Sequence, residues 1–416
     1  MPLNRVVITG MGAVSPYGNG VEILLDSLFS GKNAIQTLPE MEQIKGLKSF
    51  VAGIVPEIDS KTIARKYRRT MSKMSIYAAL AATEALSQGK VEPYLFQTGD
   101  LGVAIGSTIG SIGTMENFFR DYFSDNSLER TRSTLFFQIM NHSCAANVSQ
   151  MFGIKGTIIA PSAACASAAQ AIGIGFDAVA SGKIDMMLCG GSDEFHPLFT
   201  GTFDLMNAAS THFNRTPSST PRPFEQNRDG VVCSEGCGLI LLESLGSAKR
   251  RNADIFAEVV GFASLSDPSS IANPDAQAIR DCMEKALKNA GVNPDQVDYI
   301  NAHATGTVDG DIAECTAIGA LFGNTKPVSS LKGHLGHTMA ASGSLEIIGS
   351  IGMMEKKQII PTLNLDKIDP MCNKTRHVQR VESAAIRYIL KNSFALGGVN
   401  SSLVLRRYGN ERFGNR

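Results

Sequence analysis

Four apolar runs with almost no polar interruption mark the first part of the chain: Arg5-Val-Val-Ile-Thr-Gly-Met-Gly12, Leu101-Gly-Val-Ala-Ile-Gly106, Asp185-Met-Met-Leu-Cys-Gly-Gly191 and Gly238-Leu-Ile-Leu-Leu-Glu243. Runs of this length, separated by helical stretches, predict strands covered on both faces. A second set begins near Ile255-Phe-Ala-Glu-Val-Val-Gly261 and continues through Tyr299-Ile-Asn301, Pro327-Val-Ser329 and Ser402-Leu-Val-Leu405. Helical periodicity is clearest over Asp275 to Ala290, where Ile279, Cys282, Met283, Ala286 and Leu287 share one face and Gly291 supplies the stop. A second helix is expected over about Thr70 to Gln88, with Met71, Met74, Ala78, Ala82 and Ala85 on its apolar face. The pattern predicts an α/β protein of two halves, residues 1–254 and 255–416, although identity between the halves reveals no repeat. Thr211 to Asp229 reads as an ordered surface loop and Gly409 to Arg416 as a frayed tail.

Composition narrows the class. The 416 residues are 43% hydrophobic and 19% charged, enough apolar material for a sizeable core. Lysine plus arginine and aspartate plus glutamate both number 39, so any charged partner must meet a local patch. The eight cysteines are scattered, with no zinc spacing, and Met1 to Thr9 enters a strand without a leader-like apolar stretch. The expectation is a reducing cytoplasm, no metal and no membrane span.

Cys165 carries the first chemical signal. It lies in Pro161-Ser-Ala-Ala-Cys-Ala-Ser-Ala-Ala169, where the strand-like Thr157 to Ala160 gives way to a small-residue helix running to Gly182. A thiol at a helix N-terminus can have its pKa lowered by the macrodipole and unpaired N–H groups. Two histidine motifs follow, Asn301-Ala-His-Ala-Thr-Gly-Thr307 and Ser330-Leu-Lys-Gly-His-Leu-Gly-His337, each beside a predicted strand end or helix start. Alone, none identifies an enzyme; a lone cysteine before a helix is usually a packed core residue. Together they point to acyl chemistry assembled by the fold.

The combination resembles the elongating β-ketoacyl-acyl carrier protein synthases, condensing enzymes with a thiolase-like fold. The resemblance spans nearly the whole chain. It includes Val7-Ile-Thr-Gly-Met-Gly12, the Ala-Cys-Ala-Ser motif, Arg222-Pro-Phe-Glu-Gln-Asn-Arg-Asp-Gly230, both histidine motifs, Lys332 and Asn392-Ser-Phe-Ala-Leu-Gly-Gly398. It implies two similar α/β halves in an αβαβα stack. Cys165 would accept the acyl group, and His303 and His337 would donate hydrogen bonds to the thioester oxygen as malonyl thioester loses carbon dioxide. The backbone N–H groups of Cys165 and Leu396 would form the oxyanion hole. Lys332 would keep both imidazoles neutral, with Glu314 and Glu346 as acidic groups around it, and Thr305, Thr307 and Leu396 would contact the substrate arm.

The resemblance also implies an acyl carrier protein partner, docked on the basic Arg65, Lys66, Arg68, Arg69 and Lys73. These residues would lie on the polar side of the Thr70 helix and its approach. Further implications are no cofactor beyond the carrier's phosphopantetheine, and a homodimer or heterodimer whose tunnel is closed by a neighbouring subunit near Phe136 and Phe137. His334 is given no catalytic role, His142, His196, His212 and His377 are expected to be structural or solvent-facing, and Arg228-Asp229 is read as structural. Ala395-Leu396, where fatty acid enzymes of the family usually carry Gly-Phe, and the stretches Thr305 to Asp311 and Gly336 to Thr338 look closer to polyketide-type members. Fatty acid elongation and a polyene or polyketide pathway both remain readings. A non-catalytic chain-length-factor subunit is disfavoured by Cys165 and the two histidines, and a thiolase by the absence of its second-cysteine motif.

Overall fold

A computed structural model describes residues 3–409; the expected frayed tail lies, from residue 410 onward, outside the described residues. Among the described residues the large mixed sheet has twelve strands, ten of which position the site; the two-residue strands Gly18–Asn19 and Arg376–His377 extend it beside its first strand and at its far edge. The ten are β1 (Val6–Ser15), β2 (Leu101–Gly106), β3 (Ile158–Ile159), β4 (Met186–Asp193), β5 (Gly236–Ser244), β6 (Ala257–Ser266), β7 (Tyr299–Asn301), β8 (Pro327–Ser329), β9 (Tyr388–Ala395) and β10 (Val399–Arg407). In the first half the spatial order is β3-β2-β4-β5-β1, and in the second β8-β7-β9-β10-β6. β1/β5 and β5/β4 are antiparallel while β4/β2 and β2/β3 are parallel. β6/β10 and β10/β9 are antiparallel while β9/β7 and β7/β8 are parallel. Each of these ten strands therefore has a counterpart of the same rank and direction in the other half, a duplication that residue identities conceal. The halves join where Val6, Val7 and Ile8 of β1 pair antiparallel with Val259, Glu258 and Ala257 of β6.

Helices fill the layers according to their side chains. α1 (Lys73–Gln88) and α2 (Ser143–Phe152) cover the outer face of the first sheet. α4 (Ala276–Ala290) and α5 (Val308–Phe322) cover that of the second. α3 (Ser167–Ala180) and α6 (Ser342–Lys356) lie between the sheets, and α3 packs against strands of both halves. Only small side chains permit this: a Cβ on Gly173 would fall 2.2 Å from the Phe262 ring. The periodicity of α4 is borne out residue by residue, since Ile279, Cys282, Met283, Ala286 and Leu287 are its buried positions, Asp275 caps Ala278 N–H at 2.8 Å, and Gly291 ends it at φ 63°. Full burial of each large apolar side chain there contributes about 1.5–3 kcal/mol.

Two expectations are corrected. The helix read from Thr70 starts at Lys73, preceded by a separate one-turn helix, Arg65–Arg68. Thr70 interrupts it: its hydroxyl bonds to the Tyr67 carbonyl at 3.0 Å and to Asn147 Oδ1 at 2.7 Å, and its carbonyl accepts from Asn147 at 3.2 Å. Side-chain bonds thus take backbone groups the helix would need. The segment 211–229 is a surface loop only in its first part; Thr220, Phe224, Glu225 and Arg228 are buried. Arg228 draws the chain inward by pairing with Asp369 at 2.6 Å and Asp311 at 3.4 Å, so the pair Arg228-Asp229 is indeed held in structure.

Candidate active site

Cys165 stands on a one-turn 3₁₀ segment, Ala164–Ala166, between β3 and α3. Ala164 is held at φ 44°, a left-handed conformation that disfavours a residue with a Cβ. Ser167 stabilises the turn by accepting from Ala163 N–H at 2.9 Å and donating to the Ala164 carbonyl at 2.7 Å. The side chain ends up 5% exposed. Burial pushes the thiol up to about 11, while the charge of Lys332 and the backbone N–H groups of Cys165 and Leu396 pull it down. Desolvation therefore outweighs the helix terminus from which a low pKa was expected. The two N–H groups of the anticipated oxyanion hole nevertheless converge on the sulfur.

His303 lies two residues beyond the end of β7, and its turn is clamped by Glu314 of α5. That carboxylate accepts from His303 N–H at 2.9 Å, Ala304 N–H at 2.7 Å and Asn392 Nδ2 at 3.0 Å. Glu314 thus serves the backbone of the histidine loop, whereas Glu346 binds Lys332 at 2.6 Å. His337 is tied to the first half, donating its N–H to the Val232 carbonyl and accepting from Ser234 N–H, both at 2.8 Å. The two rings lie 5.4 Å apart and nearly perpendicular. Nδ1 of His337 meets Ser342 Oγ at 2.9 Å, which leaves Nε2 buried and, among the described residues, without a partner; His303 Nδ1 is likewise unpartnered. Burial first, then the charges of Lys332 and Lys391, hold both imidazoles well below their ordinary 6.5, with His337 adding to the effect on His303. Both are therefore neutral at physiological pH.

A cavity of about 260 Å³ joins these groups. Cys165, His303, His337, Thr305, Thr307 and Leu396 all line it. The Thr305 and Thr307 hydroxyls lie 3.0 Å apart on one rim, and Leu396 also packs against the apolar cluster of Ile112, Phe199, Phe203 and Cys233 beyond the sulfur. Phe394 meets the His303 ring edge-on at 5.7 Å.

Two functional-looking groups escaped the sequence reading. Asp193, at the end of β4, accepts from Ser107 Oγ at 2.8 Å, Thr108 N–H at 3.0 Å and Ala340 N–H at 2.9 Å, fixing the turn after His337. Its burial raises the carboxyl to about 6. Lys391, on β9, is buried with its ammonium 2.7 Å from Glu346. A charged residue inside an apolar run was the only available signal for each.

The remaining candidates sit outside the cavity. Arg65, Lys66 and Arg69 are exposed and Arg68 half-buried, but the ammonium of Lys73 is already bound to buried Glu235 at 2.8 Å and lies over the Tyr77 ring. Phe136 is exposed and Phe137 stacks edge-on with His142. His334 is buried and bonded to the Pro361 carbonyl at 2.9 Å, His377 meets the Cys372 carbonyl at 2.7 Å, His196 pairs with Glu116 at 2.8 Å, and His212 is exposed.

Comparison with known proteins agrees with this geometry. Residues 3–248 match the β-ketoacyl synthase N-terminal domain and residues 256–366 its C-terminal domain. The chain is 33% identical over 410 residues to 3-oxoacyl-acyl-carrier-protein synthase 1 of Buchnera aphidicola subsp. Acyrthosiphon pisum, covering 98% of this chain and 100% of that protein. It is 33% identical over 408 residues to the Escherichia coli K12 synthase 1, covering 97% and 99%. Among solved structures, a β-ketoacyl synthase from Burkholderia phymatum superposes with a TM-score of 0.94 at 37% identity, covering 98% of this chain and 100% of that one. The AntDE ketosynthase, solved with the type II PKS acyl-carrier protein AntF, superposes at 0.89 with 30% identity and the same coverage. With its duplicated sheet, buried cysteine and paired imidazoles, the chain belongs to the β-ketoacyl synthase family.

Proposed function

We propose that this protein is a 3-oxoacyl-acyl carrier protein synthase that lengthens carrier-bound acyl chains by decarboxylative condensation. The carrying observation is that one cavity holds a sulfur faced by two backbone N–H groups and two neutral imidazoles, each with an unpartnered nitrogen. Cys165 Sγ attacks the acyl thioester, the two N–H groups hold the oxyanion, and the carrier's thiol leaves with the proton. Malonyl thioester then enters, its carboxylate leaves as carbon dioxide, and the electron pair moves onto the thioester oxygen between His303 and His337. The enolate carbon attacks the Cys165 thioester and expels the sulfur as a thiolate, which takes a proton from water to restore the thiol. Preorganised donors of this kind are worth the most where water is excluded. Lys332 supplies the positive charge that keeps the imidazoles neutral, Glu346 holds Lys332, and Glu314 fixes the His303 turn.

The substrates arrive on the phosphopantetheine of an acyl carrier protein, along the rim bearing Thr305 and Thr307, and no step calls on a cofactor of the protein's own. Docking is assigned to Arg65, Lys66, Arg68 and Arg69. A second ketosynthase-like chain, the same or related, would cover the exposed Phe119, Phe123 and Phe136, and the eight free, buried cysteines suit a reducing cytoplasm. Residues 1–254 and 255–416 are the two functional halves. A polyene or polyketide pathway is the second reading, favoured by Ala395-Leu396 at the junction of cavity and apolar cluster.

Mass spectrometry of the purified chain with acyl-carrier and then malonyl-carrier thioesters tests the proposal. Acyl mass on Cys165 followed by carbon dioxide release is expected. A chain that binds carrier but never acylates Cys165 is instead a chain-length-factor-like partner.

A further inference from the structure

Burying an ammonium group costs several kcal/mol even when it is paired, and this chain buries two around one carboxylate. Lys391 is 1% exposed and stands in register with Asn301, two residues before His303. Its ammonium lies 2.7 Å from Glu346 Oε2, whereas Glu346 Oε1 is 2.6 Å from Lys332. The Asn392 carbonyl and Ser393 Oγ complete its contacts. Glu346 already has a partner in Lys332, so pairing alone does not account for a second cation.

The charges around the imidazoles do. Lys332 precedes His337, Lys391 lies on β9, Glu314 and Asp311 on α5, and Glu346 on α6. Asp193 ends β4 and the Cys165 thiol faces the rings from the turn before α3. With both lysines charged, they offset the carboxylates of Glu314 and Glu346, while Arg228 offsets Asp311 and Asp193 is held by Ser107, Thr108 and Ala340. Without Lys391, one further uncompensated negative charge would stand beside two imidazoles and draw a proton onto them. An imidazolium can transfer that proton to the enolate carbon, giving the decarboxylated thioester in place of a new carbon–carbon bond; a neutral imidazole holds its N–H far too tightly to do so.

We propose that Lys391 is a positioning residue that acts through Glu346 and the charge balance to keep His303 and His337 neutral, so that decarboxylation stays coupled to condensation. The inference rests on the condensing function proposed above. It is tested with Lys391→Met, which retains length and loses charge, and Lys391→Gln, which retains a hydrogen-bond donor should the methionine variant fold poorly. Carbon dioxide, condensed product and decarboxylated carrier thioester are quantified between pH 6 and 8, alongside the acylation rate of Cys165. In either variant the ratio of condensed product to carbon dioxide should fall by about fivefold to tenfold at pH 6 and recover toward pH 8, because loss of the Lys391 charge lets both imidazoles rise out of their depressed range, with acylation within about twofold of wild type. A ratio that stays at the wild-type value across the range overturns the proposal. So does an equal loss of acylation and condensation at every pH, which marks a purely structural lysine. If the wild-type protein itself neither acylates Cys165 nor releases carbon dioxide, the condensing function is what fails.

Discussion

The turn before α3 and the turn before α6 use the same backbone device for opposite ends. Each follows a short strand of the same rank, β3 or β8, and each holds a non-glycine residue at positive φ, Ala164 at 44° and Met339 at 51°, just before a small-residue helix. After Ala164 comes Cys165, whose N–H points at its own sulfur; after Met339 comes Ala340, whose N–H is taken by Asp193 at 2.9 Å. The strand ends are matched as well. Beyond β9, Leu396 brings an N–H to Cys165, while the corresponding end of β4 brings the Asp193 carboxylate to Ala340. The two turns thus differ in what meets their N–H groups: those of Cys165 and Leu396 face a sulfur, whereas that of Ala340 is taken by a carboxylate. The second half carries its chemistry on side chains instead, two and three residues beyond or before those same features.

Removing the side chain that distinguishes the first turn should have the largest effect. Cys165→Ala makes that turn chemically equivalent to the one at Ala340, and acyl-enzyme should fall below detection by intact mass while some malonyl-carrier decarboxylation persists. Covalent acyl mass on another residue would break the comparison. His303→Ala or His337→Ala strips the second half and should slow carbon dioxide release by about 100- to 1000-fold, the usual cost of one such donor, with single-turnover acylation of Cys165 preserved. If acylation disappears while decarboxylation is untouched, the division of labour between the halves is wrong.

A smaller effect is expected at the surface of the first half. Reversing Arg65 and Arg69 to Glu should lower kcat/KM for carrier-bound substrates by about tenfold at low salt and hardly at all for a small soluble thioester, with the difference shrinking as salt rises. Equal losses on both substrate types would move the docking face elsewhere. The smallest effect sharpens the comparison at the second-half loop between β9 and β10, whose Leu396 lines the cavity beside Cys165. Leu396→Phe combined with Ala395→Gly should shift the kcat/KM ratio for conjugated over saturated acyl carriers about threefold toward the saturated chain, since the cavity lining gains a ring and loses a Cβ that restricts φ. An unchanged ratio removes these two positions from pathway choice.

How much of this was legible in the sequence depended on whether local pattern or distant partners decided the outcome. Leu101–Gly106, Tyr299–Asn301 and Pro327–Ser329 are strands with the boundaries read from their apolar runs, and the α4 face is buried as its periodicity requires. The cysteine and both histidines meet in one cavity because their motifs sit at strand ends that the sheet order brings together. The duplication stayed hidden because it resides in strand order and direction, and β3 contributes just two residues to its ladder. Lys391 was missed because a lysine in a strand normally reads as a solvated position, and the carboxylate it meets, Glu346, lies 45 residues earlier. Lys73 carries a partner that its position in the sequence did not reveal: its half-exposed side chain ends in an ammonium bound to Glu235, 162 residues away.

The join between the halves carries a consequence for the chain as it is made. β1 is buried along all ten of its residues, yet apart from two pairs in its own hairpin its partners are β5 and β6, which begin at Gly236 and Ala257. At roughly 5–20 residues per second, a ribosome needs about 10–50 s to deliver β5 after β1 has emerged. For that interval an apolar strand waits with both edges open, the condition under which nascent chains pair with one another. β1 leaves the ribosome long before its partners and is among the last strands to find its place, so the yield of folded protein should depend on how quickly residues 236–266 follow it.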